Sequence, residues 1–376
     1  MKDMTATGRA RAIRTSTAAA IALAIVACGT STNDGKAMDS SATAARAADP
    51  SKAPAALPGS PDAPMQAVLD ELAALHGKPV ETLTPAEARK QPTPADAAKA
   101  VMAKLRTPPG PPPGATLSNI NVTGATGSLP ANLYTPDGAG PFPVIVYYHG
   151  GGWVIANKDV YDGGARSLAI GAKAVVISAD YRLGPEHKFP AAHDDAIAVY
   201  EWALKNAASL KGDPKRIALA GESAGGGLAV ATAIAARDRK LQAPLAVISV
   251  YPIAGTDTTT PSYVENAAAK PLNRPMMSWF FDNYLRSPAD RQDPRVNLVS
   301  ADLKGLPPVT IINAQIDPLR SDGEILADKI RAAGGTATQK TFEGVTHEFF
   351  GMGAVHDKAK AAEAMATDAL IAAFGK

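Results

Sequence analysis

The chain has 376 residues, 46% of them hydrophobic, and sets 38 lysines and arginines against 36 aspartates and glutamates, for a net charge of +2. That balance leaves no electrostatic footprint for nucleic acid, and the content of apolar residues is that of a globular chain rather than a disordered one. One cysteine excludes an internal disulfide, and with six scattered histidines the chain offers no metal-ligand spacing, so no metal is expected.

At the N-terminus, Lys2, Arg9, Arg11 and Arg14 precede an apolar stretch of 13 residues, 15–27. A bilayer span needs about 20 residues, so residues 1–27 are expected to be a signal peptide. The stretch ends in Ile25-Val26-Ala27-Cys28, which resembles a bacterial lipobox, and Cys28 is the lone cysteine. The expectation is a lipid on Cys28, attachment to a membrane and a place in the bacterial cell envelope. Removing residues 1–27, four basic and one acidic, leaves the remainder near −1. Residues 28–60 are Ala, Ser, Thr, Asp and Pro with almost no large apolar side chains, the composition of a disordered tether.

Helical periodicity begins after Pro64, where Met65, Val68, Leu69, Leu72 and Leu75 recur at three- and four-residue spacing. A second helix is expected at Thr84-Pro85-Ala86-Glu87, a capping box with proline at the first helical position, and a third over 94–105. The proline-rich stretch 108–113 then separates residues 61–114 from a region 115–376. There the apolar runs 144–148, 175–179, 217–220, 245–250 and 309–312 are continuous rather than alternating, which predicts parallel strands covered on both faces. Helices are expected between them at 194–206, 224–236 and 324–333, and a further strand at 338–342. The fold class is α/β, a mostly parallel sheet flanked by helices.

Chemistry-bearing residues stand at the strand ends. The run 144–148 leads into His149-Gly150-Gly151-Gly152-Trp153, and three consecutive glycines can turn several N–H groups toward one point, as an oxyanion hole demands. After the run 217–220 comes Gly221-Glu222-Ser223-Ala224-Gly225, a G-x-S-x-G between strand and helix that marks Ser223 as a hydrolase nucleophile. Asp317 follows the run 309–312, with Asp322 and Glu324 nearby; Asp322 also suits the N-cap of a helix starting at Gly323. His347 follows the last strand. The order Ser, Asp, His is that of the α/β-hydrolases and not of chymotrypsin or subtilisin.

Together with Asp180-Tyr181-Arg182-Leu183-Gly184-Pro185-Glu186-His187 and Phe189-Pro190-Ala191-Ala192, these motifs resemble the hormone-sensitive-lipase-like branch of the α/β-hydrolases, the bacterial family IV esterases. Gly184 departs from that pattern, which usually has alanine there. The resemblance implies a cofactor-independent carboxylic ester hydrolase of short to medium acyl esters. In it Ser223 attacks, His347 is the base, Asp317 orients the base, and the N–H groups of Gly151, Gly152 and Ala224 hold the oxyanion. It further implies that His149 braces the glycine loop, that Asp180, Arg182 and Glu186 form a buried polar cluster, and that a helical cap joins N-terminal helices to an insertion at about 257–299. The aromatics Trp279, Phe280, Phe281 and Tyr284 of that insertion suit an apolar wall for an acyl chain, and Trp153 is expected to line the pocket mouth as a substrate-binding residue. Two other readings use the same motifs: a noncatalytic binding protein on this fold, and a transacylase or amidase with the same triad. The oligomeric state is not legible in the sequence.

Overall fold

The apolar runs fall into one eight-stranded sheet. Its members are β1 (Ala115–Thr123), β2 (Ser128–Pro136), β3 (Phe142–Tyr148), β4 (Val175–Ala179), β5 (Gly212–Glu222), β6 (Val247–Val250), β7 (Val309–Ile316) and β8 (Ala337–Thr346), in the spatial order β1-β2-β4-β3-β5-β6-β7-β8. The pairs β1/β2 and β2/β4 are antiparallel, and every pair from β4 to β8 is parallel. The computed structural model describes residues 59–106 and 110–375. The expected signal peptide, Cys28, nearly all of the tether and part of the proline-rich linker lie outside the described residues.

Continuous apolar strands make sense because both faces of the sheet are covered. On one face Val144, Val146, Val175, Ile177 and Leu219 pack against α5 (Ala191–Asn206), α6 (Ala224–Asp238) and α9 (Arg320–Ala332). On the other, Ile145, Tyr147, Val176, Ala218, Ile248 and Ile312 meet α4 (Asp162–Gly171) and α10 (Asp357–Phe374). Alternate residues of one strand thus serve two cores, and each apolar side chain so buried contributes about 1.5–3 kcal/mol. The sequence order reverses direction at β3/β5: β3 continues to β4 on one side and β5 to β6 on the other. The crevice outside such a switch point is where open α/β sheets bind ligands.

N-terminal to the sheet, α1 (Ala63–Ala74) and α3 (Pro94–Lys104) pack together, with Met65, Val68, Ala97 and Val101 joining the α4/α10 core. The short α2 (Pro85–Ala88) has the expected capping box: the Thr84 hydroxyl accepts from the Glu87 N–H and the Glu87 carboxylate from the Thr84 N–H. Thr93 and Asp96 repeat this at the start of α3. The insertion after β6 contains α7 (Pro261–Glu265) and α8 (Arg274–Tyr284). The turn Val80–Thr82 lies against α8, so the contact between N-terminal segment and insertion is made by the stretch around α2.

Two expectations are corrected. The helix expected from Glu324 begins at Arg320, and Asp322 does not cap it but lies in its first turn, where its carboxylate accepts the N–H groups of Ala254 and Gly255 at 3.1 and 2.8 Å. Arg182 and Glu186 do not share a buried cluster with Asp180. Arg182 pairs with Asp195 at 2.8 Å, Asp180 accepts the Lys158 N–H at 2.8 Å, and Glu186 lies at the surface against Arg89. The three motif residues face different partners because the loop turns between them.

Candidate active site

Ser223 sits between β5 and α6 at φ 58° and ψ −119°, a left-handed conformation that is strained for any residue with a side chain. The surroundings fix it: its N–H donates to Val250 O at 2.9 Å, and its carbonyl accepts from Gly227 at 3.1 Å and Ile253 at 3.2 Å. A Cβ at Gly221 would collide with Gly225 O, one at Gly225 with Tyr148 O, and one at Gly227 with Ile253 O. Glycine in a helix interior costs about 0.5–1 kcal/mol relative to alanine. Gly225, Gly226 and Gly227 are there because the start of α6 is pressed onto the ends of β3 and β6.

The strand ends bring two more predicted residues to Ser223. Asp317 directly follows β7 and His347 directly follows β8. His347 Nε2 lies 3.0 Å from Ser223 Oγ, and its Nδ1 lies 2.7 Å from Asp317 Oδ2. With the proton on Nδ1, the ring donates to Asp317 and leaves Nε2 to accept from the serine hydroxyl. Asp317 Oδ1 accepts the Leu319 N–H at 2.8 Å, which fixes the carboxylate. All three side chains are buried, with residue exposures of 4%, 0% and 3% for Ser223, Asp317 and His347. Burial acts to lower the imidazole pKa, but the charge and hydrogen bond of Asp317, with Glu348 beside it, outweigh this and hold His347 above its ordinary value. Of the three candidate acids, Asp317, Asp322 and Glu324, it is Asp317 that meets His347. Burial pushes Asp322 up to about 7 despite its two N–H donors, and its carboxylate braces the loop after β6.

On the neighbouring strand, β3 runs into the glycine loop, and Tyr148 pairs with Gly221. Gly151, Gly152 and Trp153 take φ values of 96°, 58° and 60°, and the turn closes on Gly151 O, which accepts from Val154 at 3.0 Å and Ile155 at 2.9 Å. Among the described residues, the N–H groups of Gly151, Gly152 and Ala224 donate to no other group. The ring of Phe280, from α8, lies on Gly152 so closely that a Cβ there would collide with it. His149 stacks on Tyr181 with ring centroids 4.1 Å apart, contacts Gly150 O through Nδ1 at 2.7 Å, and burial lowers its pKa, as suits a neutral brace. Trp153 is not at the mouth: it is 1% exposed and stacks on Tyr284 at 4.9 Å, beneath α8. Gly184 also has a reason here, since a Cβ would lie 2.8 Å from Asn283 O at the end of α8.

Two carboxylates surround this centre: the buried Glu222, expected from the sequence to support nearby loops, and Glu348, which sequence reasoning did not find. Glu222 accepts from the Tyr147 and Tyr251 hydroxyls, and Glu348 from Tyr161 Oη at 2.6 Å. Burial pushes both carboxyls up, and Glu348 raises Glu222 further. Glu348 Oε1 is 3.8 Å from His347 Nε2. The one signal in the sequence was adjacency, because Glu222 precedes Ser223 and Glu348 follows His347. The tyrosines come from other elements.

Comparison with known proteins agrees with this fold. Residues 145–351 match the family model described as the alpha/beta hydrolase fold. The carboxylesterase NlhH of Mycobacterium tuberculosis is 40% identical over 248 residues, 64% of this chain and 77% of that protein. An ethyl acetate hydrolase of Pseudomonas putida is 34% identical over 68% of this chain and 82% of its own. Among solved structures, a thermostable esterase from Pseudomonas putida superposes with a TM-score of 0.74 at 29% identity, covering 85% of this chain and 99% of that one. The chain therefore belongs to the α/β-hydrolase fold family, in its hormone-sensitive-lipase-like branch.

Proposed function

We propose that the protein is a carboxylic ester hydrolase acting through an acyl-enzyme on Ser223. The observation that carries this reading is the unbroken line Ser223 Oγ, His347 Nε2, His347 Nδ1, Asp317 Oδ2, with spacings of 3.0 and 2.7 Å across it. Serine is a weak nucleophile at its free pKa. His347 takes its proton during attack on the ester carbonyl and returns it to the leaving alcohol, while Asp317 holds the tautomer and stabilises the imidazolium. The N–H groups of Gly151, Gly152 and Ala224 receive the oxyanion of the tetrahedral intermediate. Water then repeats the sequence on the acyl-enzyme, releasing the acid and regenerating Ser223. No step calls for a metal or a cofactor.

Short to medium acyl chains are the proposed substrates, since Phe280 lies directly on the glycine loop and α8 covers Trp153, leaving the acyl group a confined apolar wall. Hydrolysis of p-nitrophenyl esters from acetate to palmitate, with Ser223→Ala alongside, tests this. Activity that disappears in the variant and falls off beyond medium chains supports the reading. A folded wild type inert on all of them sinks it. Attachment to the cell envelope through a lipid on Cys28 is proposed from residues 1–28, and palmitate labelling that persists in Cys28→Ala would refute it.

A further inference from the structure

The N-terminal segment reaches the loop before His347, α8 and the glycine loop. Asp62 donates its N–H to Gly344 O at 2.9 Å, three residues before His347, and its carboxylate meets His356 and Lys358 at 2.8 and 2.7 Å. Farther on, Glu81 accepts from Asn273 at 2.9 Å and Leu83 O from Trp279 Nε1 at 3.1 Å, which ties the segment to α8. At the end of α2, Arg89 reaches past both. Its Nε donates to Val154 O at 2.9 Å and its Nη2 to Gly184 O at 2.7 Å, while Glu186 accepts from Nη1 and Nη2 at 2.8 and 2.7 Å.

We infer that Arg89 is a positioning residue of the glycine loop, through which the N-terminal segment holds the oxyanion donors in place. This rests on the reading of Gly151 and Gly152 given under the proposed function. Val154 N–H donates to Gly151 O at 3.0 Å, Gly184 N–H donates to Trp153 O at 2.8 Å, and the guanidinium joins Val154 O to Gly184 O. A ring of hydrogen bonds thus runs through the peptides that follow the donors. Gly151 and Gly152 take positive φ freely, but Trp153 at φ 60° persists only where its surroundings over-determine it. Arg89 supplies that constraint from outside the turn. The guanidinium fork makes all four contacts at once from fixed positions; a lysine ammonium, a single point with three donors, cannot. Freed of the clamp, the 153–154 peptides relax and the N–H groups lose their aim at the charge that develops in the transition state, with little effect on ground-state binding.

The test uses the full chain as wild type, Arg89→Ala, Arg89→Lys and Glu186→Gln. Measured are kcat and KM on p-nitrophenyl acetate, inhibition by a trifluoromethyl ketone that forms an oxyanion adduct, and melting temperature. Loss of a whole oxyanion donor costs on the order of 10²–10³ in kcat, so misaiming in Arg89→Ala is expected to cost about 10- to 100-fold, with KM within about threefold. The ketone should weaken by about the same factor, and Arg89→Lys should recover part of both. A variant that melts earlier but keeps wild-type kcat and ketone affinity overturns the assignment, because a plain staple would behave that way. If Arg89→Ala does not fold, Glu186→Gln, which leaves the fork in place beside a neutral amide, should lower kcat and ketone affinity about two- to fivefold, and no change in either overturns the inference. A folded wild type with no esterase activity fails the functional reading first, and the assignment falls with it.

Discussion

The floor and the roof of this site are held by different means. The floor, Ser223, Asp317 and His347, stands on the ends of β5, β7 and β8, which are paired through parallel ladders and packed on both faces. The roof, α8 with the stretch around α2, has apolar anchors in Met277, Phe281 and Tyr284, but its two parts are joined through single side-chain bonds, Trp279 to Leu83 O and Asn273 to Glu81, and the Arg89 fork ties it to the glycine loop. Bonds of that kind contribute about 0.5–1.5 kcal/mol each, whereas a ladder in a buried sheet opens only with the whole domain. The contrast separates two demands. Proton transfer needs its groups fixed, and passage of an ester past α8 needs a cover that moves for less than the global stability.

The largest effects should come from the floor. Ser223→Ala is expected to lower kcat by at least about 10⁴-fold while leaving the melting temperature near wild type, since the hydroxyl is one small group on a turn fixed by its backbone. Asp317→Asn should lower kcat by about 10⁴-fold, because an amide facing Nδ1 favours the wrong tautomer. Asp322→Asn keeps an acceptor for Ala254 and Gly255 and should change kcat by no more than about threefold, its effect appearing in stability. Steady-state kinetics and thermal unfolding of the three variants check all of this. If Asp322→Asn proves the more damaging to kcat, the wrong carboxylate has been placed in the relay.

Most of the floor was legible in the sequence because each of its residues sits in a turn whose chemistry is local. Gly221 to Gly225, the triple glycine and the order Ser223, Asp317, His347 are short patterns tied to strand ends. The fully buried strands showed as continuous apolar runs for the same reason. By contrast β1, mostly exposed and reading Ala-Thr-Leu-Ser-Asn-Ile-Asn-Val-Thr, gave little apolar signal, and α4 has its buried Gly164, Ala165 and Arg166 where periodicity expects larger apolar side chains. The cap and the His149 brace were expected from the resemblance, but the bonds that fasten the roof were illegible because they depend on long-range pairs: Arg89 lies 65 residues from Val154, and Trp279 lies 196 from Leu83. Trp153 shows the limit from the other side. Its position beside the glycines was plain, but its burial under Tyr284 came from α8, more than a hundred residues later.

The pH profile sharpens the account of the floor. In the proposed mechanism His347 must be neutral to accept the Ser223 proton, and Asp317 with Glu348 holds its pKa above the ordinary value against burial. A raised pKa means the protonated, inactive form persists to higher pH. The expected kcat/KM therefore falls about tenfold per pH unit on the acid side, with a midpoint above about 6.5, and is level above it. Glu348→Gln removes one of the charges raising His347 and should move that midpoint downward. An unmoved midpoint would mean that Glu348 is uncharged beside the imidazole, in keeping with the upward push of burial on its own pKa.

The smallest effect tests the roof. Trp279→Phe keeps an aromatic ring against Phe280, whose centroid lies 5.4 Å away, and removes only the donor to Leu83 O. Leu83 is half-buried, so water can take the vacated carbonyl and the cost should be no more than about 1 kcal/mol. If that bond holds the roof separately from the floor, the loss appears locally: amide exchange in α8 should quicken about fivefold while exchange in β5 and α6 stays as in wild type. Equal quickening in all three would show that roof and floor open together. The difference between their fastenings would then be one of geometry without energetic consequence, and access of an ester to Ser223 would require more of the fold to open than α8.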